Sequence, residues 1–174
     1  KDDIKIISDR DYSFFNIFNS KVSVVENHNN LSEIIEDFNP DIIFTGTSYK
    51  SNLEKKVISL GKSKDIIVFS FVDHWTSISD RFRINKKGFN FPNEVWVLDE
   101  RAKQIAIKEG IDENKLFISG NPYHNWVKKW RPNIERKDFY KNLGLNGGIK
   151  YILFAPDPLS NVNGIESFGF DEYI

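Results

Sequence analysis

The chain reads as an α/β protein built on a doubly wound, mainly parallel sheet, and three observations carry that expectation. Residues 41–45, 66–72 and 94–98 form short apolar runs, and 116–119 adds a fourth. Each is apolar at nearly every position, as strands covered on both faces are. Between them lie segments of helical spacing and connections of a few residues, the alternation that sets helices against a parallel sheet. In open sheets of this kind, ligands bind beyond the carboxyl ends of the strands. Small and polar residues end each run, so a site is expected along that edge.

Residues 4–9 predict a short strand closing in a polar loop at Asp9 and Asp11. Phe14, Phe15, Ile17 and Phe18 follow with helical spacing, and residues 22–25 predict a second strand. Asn30 and Glu33 have capping-box spacing and open a helix with Ile34, Ile35 and Phe38 on its apolar face, stopped at Pro40. After the strand at 41–45, Ser51 and Glu54 repeat that spacing. They open a helix whose inward face is Leu53, Val57, Ile58 and Leu60, with Gly61 as its end. The strand at 66–72 leads into a long loop, 73–92, with a charged cluster at Asp80, Arg81 and Arg83 and a turn at 86–88.

Residues 95–98 predict the next strand, with Trp96 between Val95 and Val97 expected in the core. Asp99 caps a helix presenting Ala102, Ile105 and Ala106, Gly110 ends it, and 116–119 is the last strand of this unit. Residues 126–133, rich in Trp and basic side chains, predict a linker, and 136–143 a short amphipathic helix before a turn at 146–148. Residues 151–155 read as a fresh strand and 169–174 as the opening of a helix. With no methionine, even at its start, the chain is expected to begin inside a longer or processed product, and its C-terminus to be cut.

Composition narrows the class. At 174 residues, 40% hydrophobic and 28% charged, the chain is long enough for one domain with a core, or one domain and part of another. Its net charge of −1 and the absence of a strongly basic segment argue against nucleic acid as a partner. The longest apolar run, 66–72, is far short of a membrane span, and the N-terminus lacks the apolar core of a signal peptide. Without cysteine there is neither disulfide nor thiolate metal site. A cytoplasmic location is expected, with peripheral association at the inner face of a membrane left open.

Four constellations bear chemistry. His74 follows a buried strand between Asp73 and Trp75, where a group of near-neutral pKa can take a proton from a hydroxyl. Adjacent residues on extended chain point to opposite sides, so Asp73 is not the evident partner of His74. A hydrogen-bonded structural histidine is the other reading. Thr45, Gly46, Thr47 and Ser48 combine a permissive turn with hydroxyls able to hold phosphate or sugar oxygens, or simply cap the next helix. They match neither a Walker loop nor the GxGxxG spacing. Gly120, Asn121, Pro122 and Tyr123 form a rigid exit from the sheet that would also set Asn121 and Tyr123 at a cleft mouth. Asp80, Arg81 and Arg83 either clamp an anion or make local ion pairs. His28, His74 and His124 lack metal-ligand spacing, and no metal site is expected.

Taken together, residues 40–48, 72–75 with 80–82, 92–100, 103–110 and 115–123 resemble the N-terminal half of a GT-B-type glycosyltransferase of the bacterial surface-polysaccharide kind. The strand, Asp99 and Glu100, helix, Gly110, strand, and Gly120, Asn121, Pro122 order is similar to the close of the first Rossmann-like domain there. Residues 151–160 resemble the opening of the second. The resemblance implies an acceptor-side Rossmann-like domain over 1–125, a linker and short helix over 126–148, and the start of a truncated nucleotide-sugar (donor) domain over 149–174.

It implies His74 as catalytic base with Asp73 beside it. Thr45, Gly46, Thr47, Ser48, Trp75, Arg81, Asn121 and Tyr123 would bind substrate, and Asp157 and Pro158 would lie near the donor phosphates. The substrates would be a nucleotide-sugar and a hydroxyl acceptor, saccharide or lipid-linked, without cofactor or bound metal. With the donor half incomplete, this length of chain is expected to be inactive by itself. Three other readings stay open. A non-hydrolysing sugar-nucleotide 2-epimerase would use Asp73, Asp99 and Glu100 for proton transfer. A polyol-phosphate transferase would share the fold and His74. A lone Rossmann-like module would bind without catalysing.

Overall fold

The computed structural model describes residues 3–9, 21–24, 30–48, 52–86 and 88–153. The chain divides into two compact units, Lys1–Lys128 and Lys129–Ile174. In the first, strands β1 (Lys5–Ser8) and β2 (Lys21–Val24) pair in parallel. Helix α1 (Leu31–Phe38) leads to β3 (Ile42–Thr45), α2 (Leu53–Ser63) to β4 (Ile67–Val72), and a long loop to β5 (Glu94–Val97). Then come α3 (Glu100–Lys108), β6 (Leu116–Ile118) and α4 (Pro122–Lys129). Strands β3, β4, β5 and β6 form a four-stranded sheet in chain order, parallel throughout.

Period-2 geometry splits the strand residues between two faces with different fates. Ile43, Val68, Val72, Val95 and Val97 point to one side, where they meet Ile58 of α2, Ala102 and Ala106 of α3, and Ile78, Phe82 and Ile111 from connecting segments. Val68, Val72, Val95 and Val97 are fully buried. Small alanines let α3 lie close, and each buried valine is worth about 1.5–3 kcal/mol of transfer free energy. A second cluster, Leu31, Leu53 and Val57 with Ile7, Ile34 and Ile43 against it, ties α1 and α2 to β1 and β3.

The other face is half open. Ile42, Phe44, Ile67 and Phe117 remain 48–56% exposed, and Trp96 lies among Phe44, Phe69 and Phe117 at centroid distances of 5.2–5.7 Å. The expectation that Trp96 is core is thus corrected: it projects away from Val95 and Val97, and its Nε1 donates to Glu94. Among the described residues the helices that pack on the sheet cover one face, so the apolar runs do not reflect burial on both sides.

Other boundaries shift for identifiable reasons. Asn30 precedes α1 without a side-chain capping bond, and the helix ends at Asn39 in left-handed conformation (φ 45°), which Asn tolerates. Asn52, not Ser51, is the residue before α2. Gly61 does not end α2. It lies inside the helix, where a Cβ would come within 2.6 Å of Val68 Cγ2. Residues 126–129 are helical rather than linker, continuing α4 from Pro122, a residue suited to the first helical turn.

In the second unit, α5 (Arg136–Asn142) places Tyr140 against Tyr151 with centroids 5.7 Å apart, and Tyr151 Oη accepts from Asn146 N at 2.8 Å. Residues 151–153 are irregular rather than strand, and Ile152 and Leu153 are exposed. Phe14, Phe15, Ile17, Phe18, His28, Asp157 and Pro158 lie outside the described residues. Among those described, no helix is long and apolar enough to cross a membrane.

Candidate functional site

The carboxyl ends of β3 and β4 meet at a polar rim. Thr47, two residues past β3, donates its hydroxyl to Phe71 O at 3.2 Å. Arg81, on a short 3₁₀ turn (Ser79–Phe82), reaches back 34 residues to donate to Thr47 O and Oγ1 at 3.3 and 3.2 Å. Its guanidinium also stands 3.6 Å from Asp73 Oδ1. Arg81 is 11% exposed and Asp73 66%, so the arginine is a sunken tether and the carboxylate faces water.

The next two residues are pinned separately. Trp75 Nε1 donates to Asp99 Oδ2 at 2.9 Å, fastening the loop after β4 to the end of β5. Asp99 Oδ1 accepts from Ala102 N at 2.8 Å and so caps α3 with its other oxygen. The backbone N–H of Ala102, then the Trp75 indole, hold the Asp99 carboxyl below the usual carboxylate range. A carboxylate committed to these two donors stays ionised and is a poor proton-transfer group.

His74 is exposed, with its ring 6.1 Å from that of Trp75 in an edge-on arrangement. Thr76 offers Nδ1 two partners, its hydroxyl at 2.9 Å and its backbone N–H at 3.3 Å. Accepting from the N–H leaves the imidazole proton on Nε2. Donating to Oγ1 puts the proton on Nδ1 and frees the Nε2 lone pair, the tautomer a general base needs. Ser77 follows at φ 51°, a conformation a non-glycine residue adopts at a cost of about 1–3 kcal/mol. The loop is therefore held, on both sides of His74, by contacts to distant segments.

Other expected site residues are placed differently. Thr45 is buried, its hydroxyl 2.7 Å from Ser70 Oγ, so its oxygen is spent in the core rather than offered to a ligand. Gly46 is exposed and Ser48 half-buried. Asn121 Oδ1 accepts from Tyr123 N at 3.0 Å, opening α4, and Tyr123 stacks on Trp126 with centroids 5.7 Å apart. Both stand beyond β6, on the far side of β5 from His74. Arg83 bonds to Asp80 within its own turn and lies 4.5 Å over the Phe89 ring, so this cluster is largely satisfied locally.

Sequence reasoning passes over Thr76, although a hydroxyl two residues after a histidine is a legible signal. The pairs Arg81 with Thr47 and Trp75 with Asp99 carry none, because 34 and 24 residues separate them. Among the described residues, no three His, Cys, Asp or Glu side chains gather to hold a metal ion.

Comparison with family models, with curated proteins and with solved structures yields no match.

Proposed function

We propose that residues 1–125 of this chain are the acceptor-side, Rossmann-like domain of a GT-B-type glycosyltransferase, one that moves a sugar from a nucleotide-sugar to a hydroxyl acceptor. The supporting observation is the setting of His74: exposed past the tip of an inner strand, with Nδ1 held by Thr76 and its loop fastened through Trp75 and Arg81. In this reading Nε2 takes the proton of the acceptor hydroxyl as that oxygen bonds to the anomeric carbon. The bond from that carbon to the nucleotide diphosphate breaks, and the electron pair leaves with the phosphate. Thr76 Oγ1 accepts from Nδ1–H and stabilises the imidazolium. Trp75, 37% exposed, offers an apolar ring face beside the base for a sugar to stack on. Asp157 and Pro158 belong to the donor side, and a lipid-linked acceptor would bring the enzyme to a membrane surface.

The test is nucleoside diphosphate release from uridine- and guanosine-diphosphate sugars by the full-length protein supplied with membrane extract as acceptor. His74→Ala is expected to lower turnover about 100-fold or more, the usual size of a general-base contribution. Thr76→Val, which leaves only the N–H facing Nδ1, is expected to lower kcat about tenfold, as one lost hydrogen bond would, and to move the rising limb of the pH profile. Near-normal turnover of His74→Ala refutes the assignment.

A further inference from the structure

Between β1, α1, β3 and α2 lies a cavity of about 550 Å³ that the rim around His74 does not use. Its volume is within the roughly 300–1,000 Å³ of small-molecule sites. Its walls are apolar over most of their area, supplied by Ile6, Ile34, Phe38, Ile42 and Val57 among others. Ser8, Asp9 and Thr45, whose hydroxyl is taken by Ser70, line it where β1 and β3 end, and Asp3 and Lys5 line it where β1 begins. β1 and β3 belong to different sheets, β1 pairing with β2 and β3 with β4. Crevices of this kind at the carboxyl ends of strands are where α/β sheets take ligands.

One wall atom lacks a hydrogen-bond partner among the described residues. Glu54, in the first turn of α2, lines the cavity, and its Oε2 is buried without a hydrogen-bond partner among the described residues. A carboxylate oxygen withdrawn from water and left unpaired is costly, and a ligand donor reaching it recovers that cost. An ionised carboxylate accepts only, so the ligand must donate. Glu54 is the wall carboxylate whose oxygen lacks a hydrogen-bond partner among the described residues, so an anionic head is disfavoured beside it.

We infer that this cavity binds a small amphiphile, an apolar body seated between α1 and the strands, with a cationic amine or hydroxyl head donating to Glu54. The cavity shares Thr45 and Gly46 with the end of β3, and the inference does not depend on the transferase reading.

Three ten-carbon probes differing only in the head decide the matter: decylamine, decanol and decanoate, each titrated below its micelle concentration into the full chain by calorimetry. Decylamine is expected to bind about tenfold or more tighter than decanoate, with decanol between them, the scale of a charge-assisted hydrogen bond. Glu54→Gln keeps the shape of the side chain and removes its charge, and is expected to erase the preference for the amine while leaving decanol binding within about threefold. Equal affinity for all three probes, a preference that survives Glu54→Gln, or no binding by any probe overturns the inference. Circular dichroism of Glu54→Gln, matching that of the parent, confirms that the fold is retained, and Glu54→Asp, which draws the carboxylate back by one methylene, is expected to weaken decylamine specifically.

Discussion

Gly61→Ala tests whether α2 rests against the sheet as closely as the structure has it, and the sign of its effect is the readout. By helix propensity alone, replacing an interior glycine with alanine stabilises by about 1 kcal/mol. Here the new methyl would sit 2.6 Å from Val68 Cγ2 and 3.1 Å from Ile43 Cδ1, against an ordinary carbon contact of about 3.5–4.0 Å. Ile43 Cδ1 is the end of a flexible side chain and can yield. Val68 cannot: it is fully buried, stiff at χ1, and its N–H and carbonyl are both bonded to Asn93, at 2.9 and 3.0 Å. Overpacking costs about 1–3 kcal/mol, and a gap about 1 Å too short belongs in the upper half of that range. The net expectation is destabilisation by about 1–2 kcal/mol, a fall in Tm of about 2–8 °C at this chain length. Urea denaturation followed by circular dichroism measures it. In a Val68→Ala background the obstructing atom is gone, and Gly61→Ala should become neutral or stabilising by up to about 1 kcal/mol. A stabilised single variant would refute the close approach.

Truncating Phe82, 1% exposed in the main core, to Ala should cost about 3–5 kcal/mol, whereas Phe44→Ala on the half-open sheet face, at 56% exposed, should cost about 1 kcal/mol. Equal costs, read from the same urea curves, would mean that the sheet is covered on both sides. Asp99→Ala removes the α3 cap and the partner of Trp75, and is expected to lower Tm at pH 7 and shift Trp75 emission to the red. Because the folded carboxyl lies below its ordinary value, its contribution is full above the unfolded carboxylate pKa of about 3.9 and is lost as pH falls through the folded value. The gap in Tm between the two proteins should therefore close in acid, and a gap constant from about pH 7 to about pH 2.5 would contradict this.

Much of the element order is legible from spacing alone. Asp99 announces itself as a cap by preceding an apolar-periodic segment, and the structure gives it that bond to Ala102 N. Gly110, at φ 91°, ends α3 where a left-handed residue is needed. Residues 41–45, 66–72 and 94–98 hold strands because short β-branched and aromatic runs between turn residues have few other options. The candidate site is legible only in outline. A strand end followed by His74 marks the edge where a ligand binds, but not which neighbouring side chains remain free.

What the sequence determined by itself is local: the alternation of strand and helix, their approximate ends, and the polar character of the edge, since propensity, period and capping act over a few residues. What tertiary structure decided depends on partners far along the chain. Thr45 turns its hydroxyl into the core because Ser70 lies opposite it in the β3–β4 register, and Trp96 stays half exposed because α2 and α3 pack on the other face. Gly61 is required by a valine seven residues on and Arg81 by a threonine 34 residues back, and Glu54 Oε2, without a partner among the described residues, lines a cavity framed with β1. An apolar run reports that a strand is buried somewhere, whereas the face that is covered is fixed by where the helices cross.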